Sequence, residues 1–388
     1  MTWSYQGSAS APGESEPPEP GDVPPSGGFD PRGHGVPTML RDPLDGSLTM
    51  VEQRDGTATL HHLDRDGQLE WNVPVPLPCD VCEVTHLARH PSGDLLLSAT
   101  GQLIDGDYAL IAARYDPRTH QTAWVTTRPL SFTPQVPSRS GEIAALGDEH
   151  VIAQTFVVGM IEFGALQNVS MAIYRDDGAL IELVQVRLDQ ALPSRPPLLV
   201  RPTHDGEITI AVPSGQPGHV FGLVRSFAPP LWLPLSGYSV PVAVDDLGPD
   251  RGGHMLEVGH NFDGHHVRLM LQDRAALEFE PRWSATTTFD SVTNGRATLA
   301  VGPHGDAYLA LRTAQAPAEG VAPLVGLSMA RFTTEGELRW QLTMLDPLTD
   351  HHDPIALAVD DDDGLLVATV SDDRLRIDRR RQRCECER

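Results

Sequence analysis

Short runs of alternating apolar and polar residues follow one another along most of the chain, each bounded by Gly, Pro or Asp. Residues 84–130 show the arrangement: VTHLARH, the turn PSGD, LLLSATG, and then YALIAARYD, a second turn and AWVTTRPL. A period of two in short runs rich in β-branched residues is typical of β-strands. No amphipathic helical stretch of useful length occurs. The pattern therefore predicts an all-β protein made of four-stranded antiparallel units.

Each of six such runs begins at a tryptophan. The tryptophans are Trp3, Trp71, Trp124, Trp232, Trp283 and Trp340. From the second one onward the gaps are 53, 108, 51 and 57 residues. Since 108 is twice 54, these gaps indicate one supersecondary unit repeated at a fixed period, with one position skipped. We expect each tryptophan to lie on the outermost strand of its unit and to pack across the face of the next unit.

A second repeated feature, a glycine turn followed by an apolar run, recurs with about the same period as the tryptophans. It occurs at Gly46, Gly93, Gly147, Gly206, Gly253, Gly305 and Gly364. Glycine suits a tight turn between strands because it tolerates positive φ. Seven four-stranded units repeated around an axis would form a seven-bladed β-propeller.

The seventh unit ends after its third strand, whereas the run TWSYQG at the other end of the chain has no unit of its own. We predict that residues 2–7 pair with 374–382 and close the ring, because an unpaired edge would promote aggregation. Residues 1–8 then form the closing strand, 9–35 a disordered Pro/Gly-rich linker, and 36–388 the propeller. The predicted blades are 36–78, 79–132, 133–188, 189–237, 238–290, 291–350 and 351–388.

The formal net charge of −24 makes a nucleic-acid partner a poor prospect, because phosphate binding needs a positive surface. Read as a third strand, the one basic run, from Arg374 to Arg383, has Leu375 and Ile377 facing inward and its arginines facing outward. It is either a solvated strand face or a local patch for an anion or an acidic partner. No run of 18 apolar residues is present, so we predict no transmembrane segment. Residues 1–15 lack the basic start and apolar core of a signal peptide. We expect a monomer.

The four cysteines form two close pairs, Cys79 with Cys82 and Cys384 with Cys386. Three states remain open: disulfides within or between the pairs, free thiols, or four thiolate ligands to zinc. A thioredoxin-like redox site is disfavoured, because the first pair leads into a strand and not into a helix.

Other residues with possible chemistry do not form a recognisable motif. The histidine groups are His260 with His265 and His266, His351 with His352, and His61 with His62. Adjacent residues in a regular strand point to opposite faces and cannot share one metal, whereas in a loop they could. The acidic run 360–363 lacks the register of a calcium loop and is better explained as a charged turn. No motif for nucleophilic catalysis or nucleotide binding occurs, so we assign no catalytic or cofactor-binding residue and expect no cofactor.

The turn before the tryptophan carries a family resemblance. DRDGQLEW (64–71), DPRTHQTAW (116–124) and TTEGELRW (333–340) resemble the D-x-x-G-x-x-x-W element of bacterial β-propeller repeats. These include the SBBP-type repeat and, more loosely, the pyrroloquinoline-quinone-type repeat. In the third unit, RDDGALIE places Glu182 at the tryptophan position. The resemblance implies a propeller fold, a secreted or cell-envelope location, and a role in binding.

Two functions follow from this reading. The first is a non-enzymatic scaffold that binds a protein or glycan through loops on one face, such as 155–169 and 312–323. The alternative is an enzyme (a lyase, a hydrolase or a quinone-dependent dehydrogenase) with its site at the propeller axis. In that case the candidate polar residues near the axis are His90, Arg201 and His204.

Overall fold

The protein is all-β in every part of the chain that the structure, a computed structural model, describes. The described residues are 4–6, 38–42, 44–54, 57–75, 77–103, 105, 108–129, 139–146, 151–160, 166–186, 199–202, 208–216, 219–228, 233–240, 243–249, 255–260, 266–272, 281–289, 292–293, 297–315, 324–345, 355–360, 362–371 and 374–380. Within these ranges no helix is long and apolar enough to cross a membrane.

The strands form consecutive antiparallel sheets, named here in chain order. The chain begins with β1 (Ser4–Gln6). Sheet 1 contains β2 (Thr38–Arg41), β3 (Leu48–Arg54), β4 (Thr57–Leu63) and β5 (Leu69–Pro74). Sheet 2 contains β6 (Cys79–Arg89), β7 (Leu95–Leu103), β8 (Tyr108–Asp116) and β9 (Gln121–Pro129). Sheet 3 contains β10 (Arg139–Leu146), β11 (Val151–Met160), β12 (Leu166–Tyr174) and β13 (Leu180–Val186).

The same order of pairing continues to the end of the chain. Sheet 4 contains β14 (Leu199–Pro202), β15 (Ile208–Gln216), β16 (His219–Ala228) and β17 (Leu233–Val240). Sheet 5 contains β18 (Ala243–Pro249), β19 (Met255–His260), β20 (His266–Gln272) and β21 (Trp283–Thr288). Sheet 6 has five strands: β22 (Val292–Thr293), β23 (Thr298–Val301), β24 (Ala307–Gln315), β25 (Leu324–Phe332) and β26 (Leu338–Leu345). Sheet 7 contains β27 (Ile355–Val359), β28 (Leu365–Ser371), β29 (Arg374–Arg380) and β1.

The predicted pairing of the two ends of the chain is present. Strand β1 pairs antiparallel with β29, and Tyr5 lies opposite Ile377. The Ile377 side chain is fully buried and belongs to an apolar cluster shared by sheets 7 and 1. Strand β1 is therefore the fourth strand of sheet 7, although it is the first strand in sequence.

The first strands of successive sheets contact one another. Strand β2 contacts β6, β6 contacts β10, and the series continues through β14, β18, β23 and β27 back to β2. Side chains reinforce several of these contacts by bonding to the backbone of the next sheet. The Thr85 hydroxyl donates to the Gly141 carbonyl at 2.9 Å, and the Leu299 amide donates to the Asp246 carboxylate at 2.9 Å. Such bonds satisfy polar groups that the contact would otherwise bury.

The apolar core lies between adjacent sheets. One cluster combines Leu60 of sheet 1 with Leu97 and Ile111 of sheet 2, and all three are at most 1 % exposed. Equivalent clusters join sheets 2 and 3, sheets 5 and 6, sheets 6 and 7, and sheets 7 and 1. Face-to-face packing of pleated sheets explains why the second and third strands read as nearly continuous apolar runs.

Three sequence-based boundaries differ from the structure. The predicted boundary after residue 237 falls inside β17, which continues to Val240. The segment 155–169, predicted as a loop, is largely strand, because β11 extends to Met160 and β12 begins at Leu166. Similarly, β24 extends to Gln315 and β25 begins at Leu324, which shortens the predicted loop 312–323. In both hairpins paired strands satisfy backbone groups that the sequence analysis assigned to a loop.

Candidate functional site

In a four-stranded meander, the turn between the first two strands and the turn between the last two lie at the same end of the sheet. Aspartate and arginine repeat at this end. Asp94 pairs with Arg114 at 2.6 Å, Asp306 with Arg331 at 2.8 Å, and Asp360 with Arg379 at 2.6 Å. Each aspartate lies in the first turn of its sheet, and each arginine lies on the third strand. We call this repeated surface the turn end.

Two of these arginines also reach the neighbouring sheet. Arg114 contacts the Asp176 carboxylate of sheet 3, and Arg331 lies 2.9 Å from the Asp363 carboxylate of sheet 7. A guanidinium has several donors in a fixed plane and can bridge two carboxylates. These ion pairs therefore tie adjacent sheets together, and their first role is structural.

His90 lies in the junction between sheets 2 and 3, and its place near a propeller axis stays a prediction. Its side chain is fully buried, and Nε2 lies 3.0 Å from the Asp176 carboxylate. Its Nδ1 accepts the amide hydrogen of Ser92 at 3.2 Å and so caps the turn. Arg201 lies on β14, but its side chain is not among the described ones, and His204 lies outside the described residues.

The glycine turns are placed as predicted in three sheets, and the seventh departs from the rule. Gly46, Gly93 and Gly305 have φ of +78°, +93° and +90°. In sheet 7 the residue with positive φ is Asp363, at +58°, whereas Gly364 occupies the next position. A Cβ on Gly364 would lie 2.3 Å from the Asp360 carboxylate, so this glycine makes room for the aspartate that binds Arg379. The predicted marks Gly147, Gly206 and Gly253 lie outside the described residues.

The tryptophans lie on fourth strands and face the last turn of the next sheet. The Trp124 Nε1–H donates to the Asp176 carbonyl at 2.8 Å, and Trp283 donates to the Thr334 carbonyl at 3.0 Å. Their rings rest on Gly178 and Gly336, where a Cβ would come within 2.7 and 2.5 Å. Both tryptophans are partly buried, and each packs against the apolar cluster at its junction.

The tryptophans of the other sheets make different contacts. Trp71 meets His120 edge-on at 5.1 Å, and His120 holds the positive-φ position that glycine holds elsewhere, with φ of +55°. The Trp340 Nε1–H is buried and has no acceptor among the described residues. In sheet 7 the corresponding turn does not exist, because β29 and β1 come from opposite ends of the chain. Trp3 and Trp232 lie outside the described residues.

A polar cavity of about 110 Å³ lies at the turn end between sheets 7 and 1, which we call the seam cavity. It is lined by turns of both sheets and by the adjoining strand ends. The lining residues are Arg41, Leu44, Asp45, Gly46, Leu48, Asp64, Arg65, Asp360, Asp362, Leu366 and Arg379. The sequence analysis missed this cavity, although the unusual turn 360–364 was visible as a run of aspartates.

Most carboxylates around the seam cavity also hold their own turns. One oxygen of Asp64 accepts the amides of Asp66 and Gln68, and one oxygen of Asp360 accepts those of Asp362 and Gly364. Partial burial opposes ionisation of Asp45, but hydrogen bonds from Ser47 outweigh it and hold the pKa of that carboxyl below its usual value. The lining therefore presents fixed acceptors beside three guanidinium groups.

A second surface stands out on the fourth strand of sheet 3. Leu180, Ile181 and Leu183 of β13 are 45, 48 and 42 % exposed, which is more large exposed apolar side chains than the structure describes on β5, β9, β21 or β26. Glu182 lies opposite Ile173, the position that Trp124 holds opposite Arg114, as predicted. Among the described residues Glu182 has no ion-pair partner, and it is half-buried.

The first cysteine pair forms a disulfide. Cys79 and Cys82 are bonded on β6 with their Cα atoms 5.7 Å apart. Sulfurs joined in this way are not available as thiolate ligands. Cys384 and Cys386 lie outside the described residues, so their state stays a prediction. No group of three or more metal-ligating side chains occurs in the ranges that the structure covers.

The basic run near the end of the chain is a strand face held by ion pairs. Arg376 and Arg380 both contact Asp378 on β29, at 3.2 and 3.1 Å. Arg379 is committed to Asp360. Of the two side chains predicted to face inward, Ile377 is buried, whereas the Leu375 side chain is not described.

Comparison with known proteins gives a distant structural neighbour. No family model and no curated protein matches the sequence. Among solved structures, a protein of unknown function from Bacteroides caccae is similar, with a TM-score of 0.43 and 12 % sequence identity. The match covers 74 % of this chain and 90 % of that chain.

Proposed function

We propose that the sheets form a seven-bladed β-propeller of the bacterial repeat type, and that the protein is a non-enzymatic scaffold binding another protein. The ring arrangement is supported by the series of contacts between first strands, which returns from β27 to β2. It is further supported by the pairing of β1 with β29, which supplies sheet 7 with its fourth strand.

The exposed apolar edge of β13 carries the binding proposal. Outer strands of soluble β proteins are usually protected by proline, by charge or by a cover. Such residues occur in other fourth strands, as with Pro74 in β5, Pro129 in β9 and Arg339 in β26. The sequence of β13, LIELVQV, contains neither proline nor a basic residue. Clustered exposed apolar side chains on a monomer mark an interaction site.

The charge at this edge indicates the chemistry of the partner. Glu182 is half-buried and alternates in sequence with the exposed Ile181 and Leu183, and a basic group would pair with a half-buried carboxylate more strongly than in open water. The net charge of −24 also favours a basic partner. The partner that fits is an extended segment of another protein, with alternating apolar side chains and a basic residue opposite Glu182. It would add a strand to sheet 3.

A peptide-binding experiment tests this proposal. The probe is a fluorescent nine-residue peptide of alternating valine and arginine, and the negative control carries proline at its centre. We expect the first peptide to bind and the second not to bind. Binding should fall at least tenfold in Ile181→Ser/Leu183→Ser, and less in Glu182→Gln. The matched control is Leu338→Ser/Leu342→Ser, which removes two similarly exposed leucines from β26.

Either of two outcomes would contradict the proposal. One is equal binding of the proline peptide, which cannot add a complete strand. The other is equal loss of binding in the β13 and β26 variants. The loops named in the sequence analysis remain a separate prediction, since residues 161–165 and 316–323 lie outside the described residues.

A further inference from the structure

In sheets 2 and 6 an aromatic ring fills the space that corresponds to the seam cavity, whereas sheet 7 carries Leu366 and Asp360 at the two positions concerned. In sheet 6, Tyr308 lies opposite Arg331 in the strand register, and in sheet 7 Leu366 lies opposite Arg379. The Tyr308 ring lies beneath the Arg331 guanidinium at 5.1 Å and fills the space beside Gly302. Leu366 has no ring to place beneath Arg379.

In sheet 2 the equivalent space is filled by a different residue, the first residue of the turn between its first two strands. Its second strand carries Leu96 opposite Arg114, but the first residue of its turn is His90, whose ring is fully buried. The corresponding first turn residue is Gly302 in sheet 6 and Asp360 in sheet 7, as the turn hydrogen bonds show. Sheets 2 and 6 therefore each place a ring in this space, His90 and Tyr308. Sheet 7 has Leu366 and Asp360 at the two corresponding positions and places no ring there.

The geometry points to a ligand site in the seam cavity for a neutral polyhydroxylated molecule, such as one sugar residue of a glycan. The lining contains three arginines and four aspartates, so its formal charge is 3 − 4 = −1. A near-balanced lining gives little net attraction to a simple anion or cation. Sugar hydroxyls both donate and accept hydrogen bonds, and they can bond to guanidinium and carboxylate groups together.

The size and rim of the cavity suit one end of such a ligand. About 110 Å³ corresponds to roughly three or four water molecules, which is part of a sugar ring, so the remainder would project from the turn end. Leu44, at the tip of the first turn of sheet 1, borders the cavity and is 94 % exposed. Its side chain offers an apolar contact for the C–H face of a sugar. This site is separate from β13, so the two proposals stand or fall independently.

Ligand-observed saturation-transfer NMR tests the inference, because it detects millimolar binding. The probes are methyl glucoside, myo-inositol, cellobiose, glucuronate, glucosamine and inorganic phosphate. We expect the neutral compounds to bind and the charged ones to bind at least several-fold more weakly. Stronger binding of cellobiose than of methyl glucoside would favour a glycan end over a free sugar as the natural source.

Two variants locate the site. Leu366→Tyr introduces the ring that Tyr308 supplies in sheet 6, and it should reduce binding at least tenfold. Arg65→Ala removes an exposed cavity residue with little risk to folding, and it should weaken binding several-fold. Arg268→Ala, on β20 of sheet 5, is the distant control. The inference is overturned if no neutral probe binds the wild type, if glucuronate or phosphate binds best, or if both cavity variants bind like wild type.

Discussion

The indole Nε1–H of Trp124 donates to the carbonyl oxygen of Asp176 at 2.8 Å, across the junction between sheets 2 and 3. The same turn presents Gly178, whose φ is +82° and whose missing Cβ leaves space for the indole ring. At this junction and at the Trp283–Gly336 junction, a tryptophan on the fourth strand of one sheet packs on a glycine in the last turn of the next. The repeat period of tryptophans and glycine turns in the sequence reflects this contact between adjacent sheets.

Gly178→Ala tests the contact directly. Alanine at positive φ costs about 1–2 kcal/mol, and overpacking against Trp124 adds about 1–3 kcal/mol. Gly93→Ala is the matched control, because φ is +93° there but a Cβ would meet nothing within 4 Å. We expect urea denaturation to show a clearly larger loss of stability for Gly178→Ala. Equal losses would mean that backbone strain alone explains the glycine.

A pair of tryptophan variants tests the hydrogen bond. Trp124→Phe removes the donor to Asp176 and should lower the free energy of unfolding by about 1 kcal/mol beyond the loss of ring area. Trp340→Phe should cost less, because its buried Nε1–H has no acceptor among the described residues. Thermal unfolding of the two variants under one condition provides the measurement. A greater loss for Trp340→Phe would contradict the assignment.

Sequence analysis was most successful where one residue type has one structural use. The positive φ of Gly93 and Gly305 and the burial of Ile377 follow from glycine's freedom in turns and from strand alternation. Register alone also identified Glu182 as the substitute for a tryptophan.

Sequence-based prediction of the glycine turn failed in sheet 7, where the glycine does not hold the positive-φ position. Asp363 takes the positive φ, Gly364 supplies space, and Asp360 reaches Arg379 from the other end of the turn. No local pattern in DDDDG distinguishes these roles, because they depend on an arginine on another strand. The seam cavity could not be predicted for the same reason, since it depends on which side chains neighbouring sheets bring to one level.

His62 should give the protein a measurable acid sensitivity. Burial lowers the pKa of His62, with Glu70 opposing that shift, so the fold favours the neutral imidazole. The corresponding stability is present above the unfolded-state pKa of about 6.5 and is lost as pH falls below it. His62→Phe keeps a ring stacked on Trp71, which His62 contacts at 4.8 Å, and removes the titration.

The measurement is the change in Tm between pH 7.5 and pH 5. This change should be smaller in His62→Phe than in wild type. His304→Gln, at an exposed turn of sheet 6, controls for the loss of a surface histidine. If the variant and wild type lose the same Tm, His62 does not contribute to acid sensitivity.

Tyr174 should limit stability at alkaline pH. Burial raises its pKa to about 12, although Arg128 opposes the shift, and its hydroxyl donates to Gln154 Oε1 at 3.0 Å. The raised pKa means that the stability is present below pH of about 10 and is lost as pH rises through about 12. Tyr174→Phe should be less stable at pH 8 by about 1–3 kcal/mol, because a buried acceptor loses its donor. Its stability should then fall less steeply than that of wild type between pH 10 and 12.

The pairing of β1 with β29 can be locked by a disulfide. Gln6 lies opposite Arg376, and opposed residues in an antiparallel pair have Cα atoms about 4.5–5.5 Å apart, within the range of a disulfide. In a background with Cys384→Ser and Cys386→Ser, Gln6→Cys/Arg376→Cys should oxidise readily and raise the unfolding midpoint. Closing so long a loop stabilises the protein by up to about 5 kcal/mol in the chain-entropy model.

Ser4→Cys/Arg376→Cys, out of register by two residues, is the control and should remain largely reduced under the same mild oxidant. Equal oxidation of both pairs would show that β1 slides along β29. Failure of the in-register pair to form would place the N-terminal strand elsewhere, and sheet 7 would then lack its fourth strand.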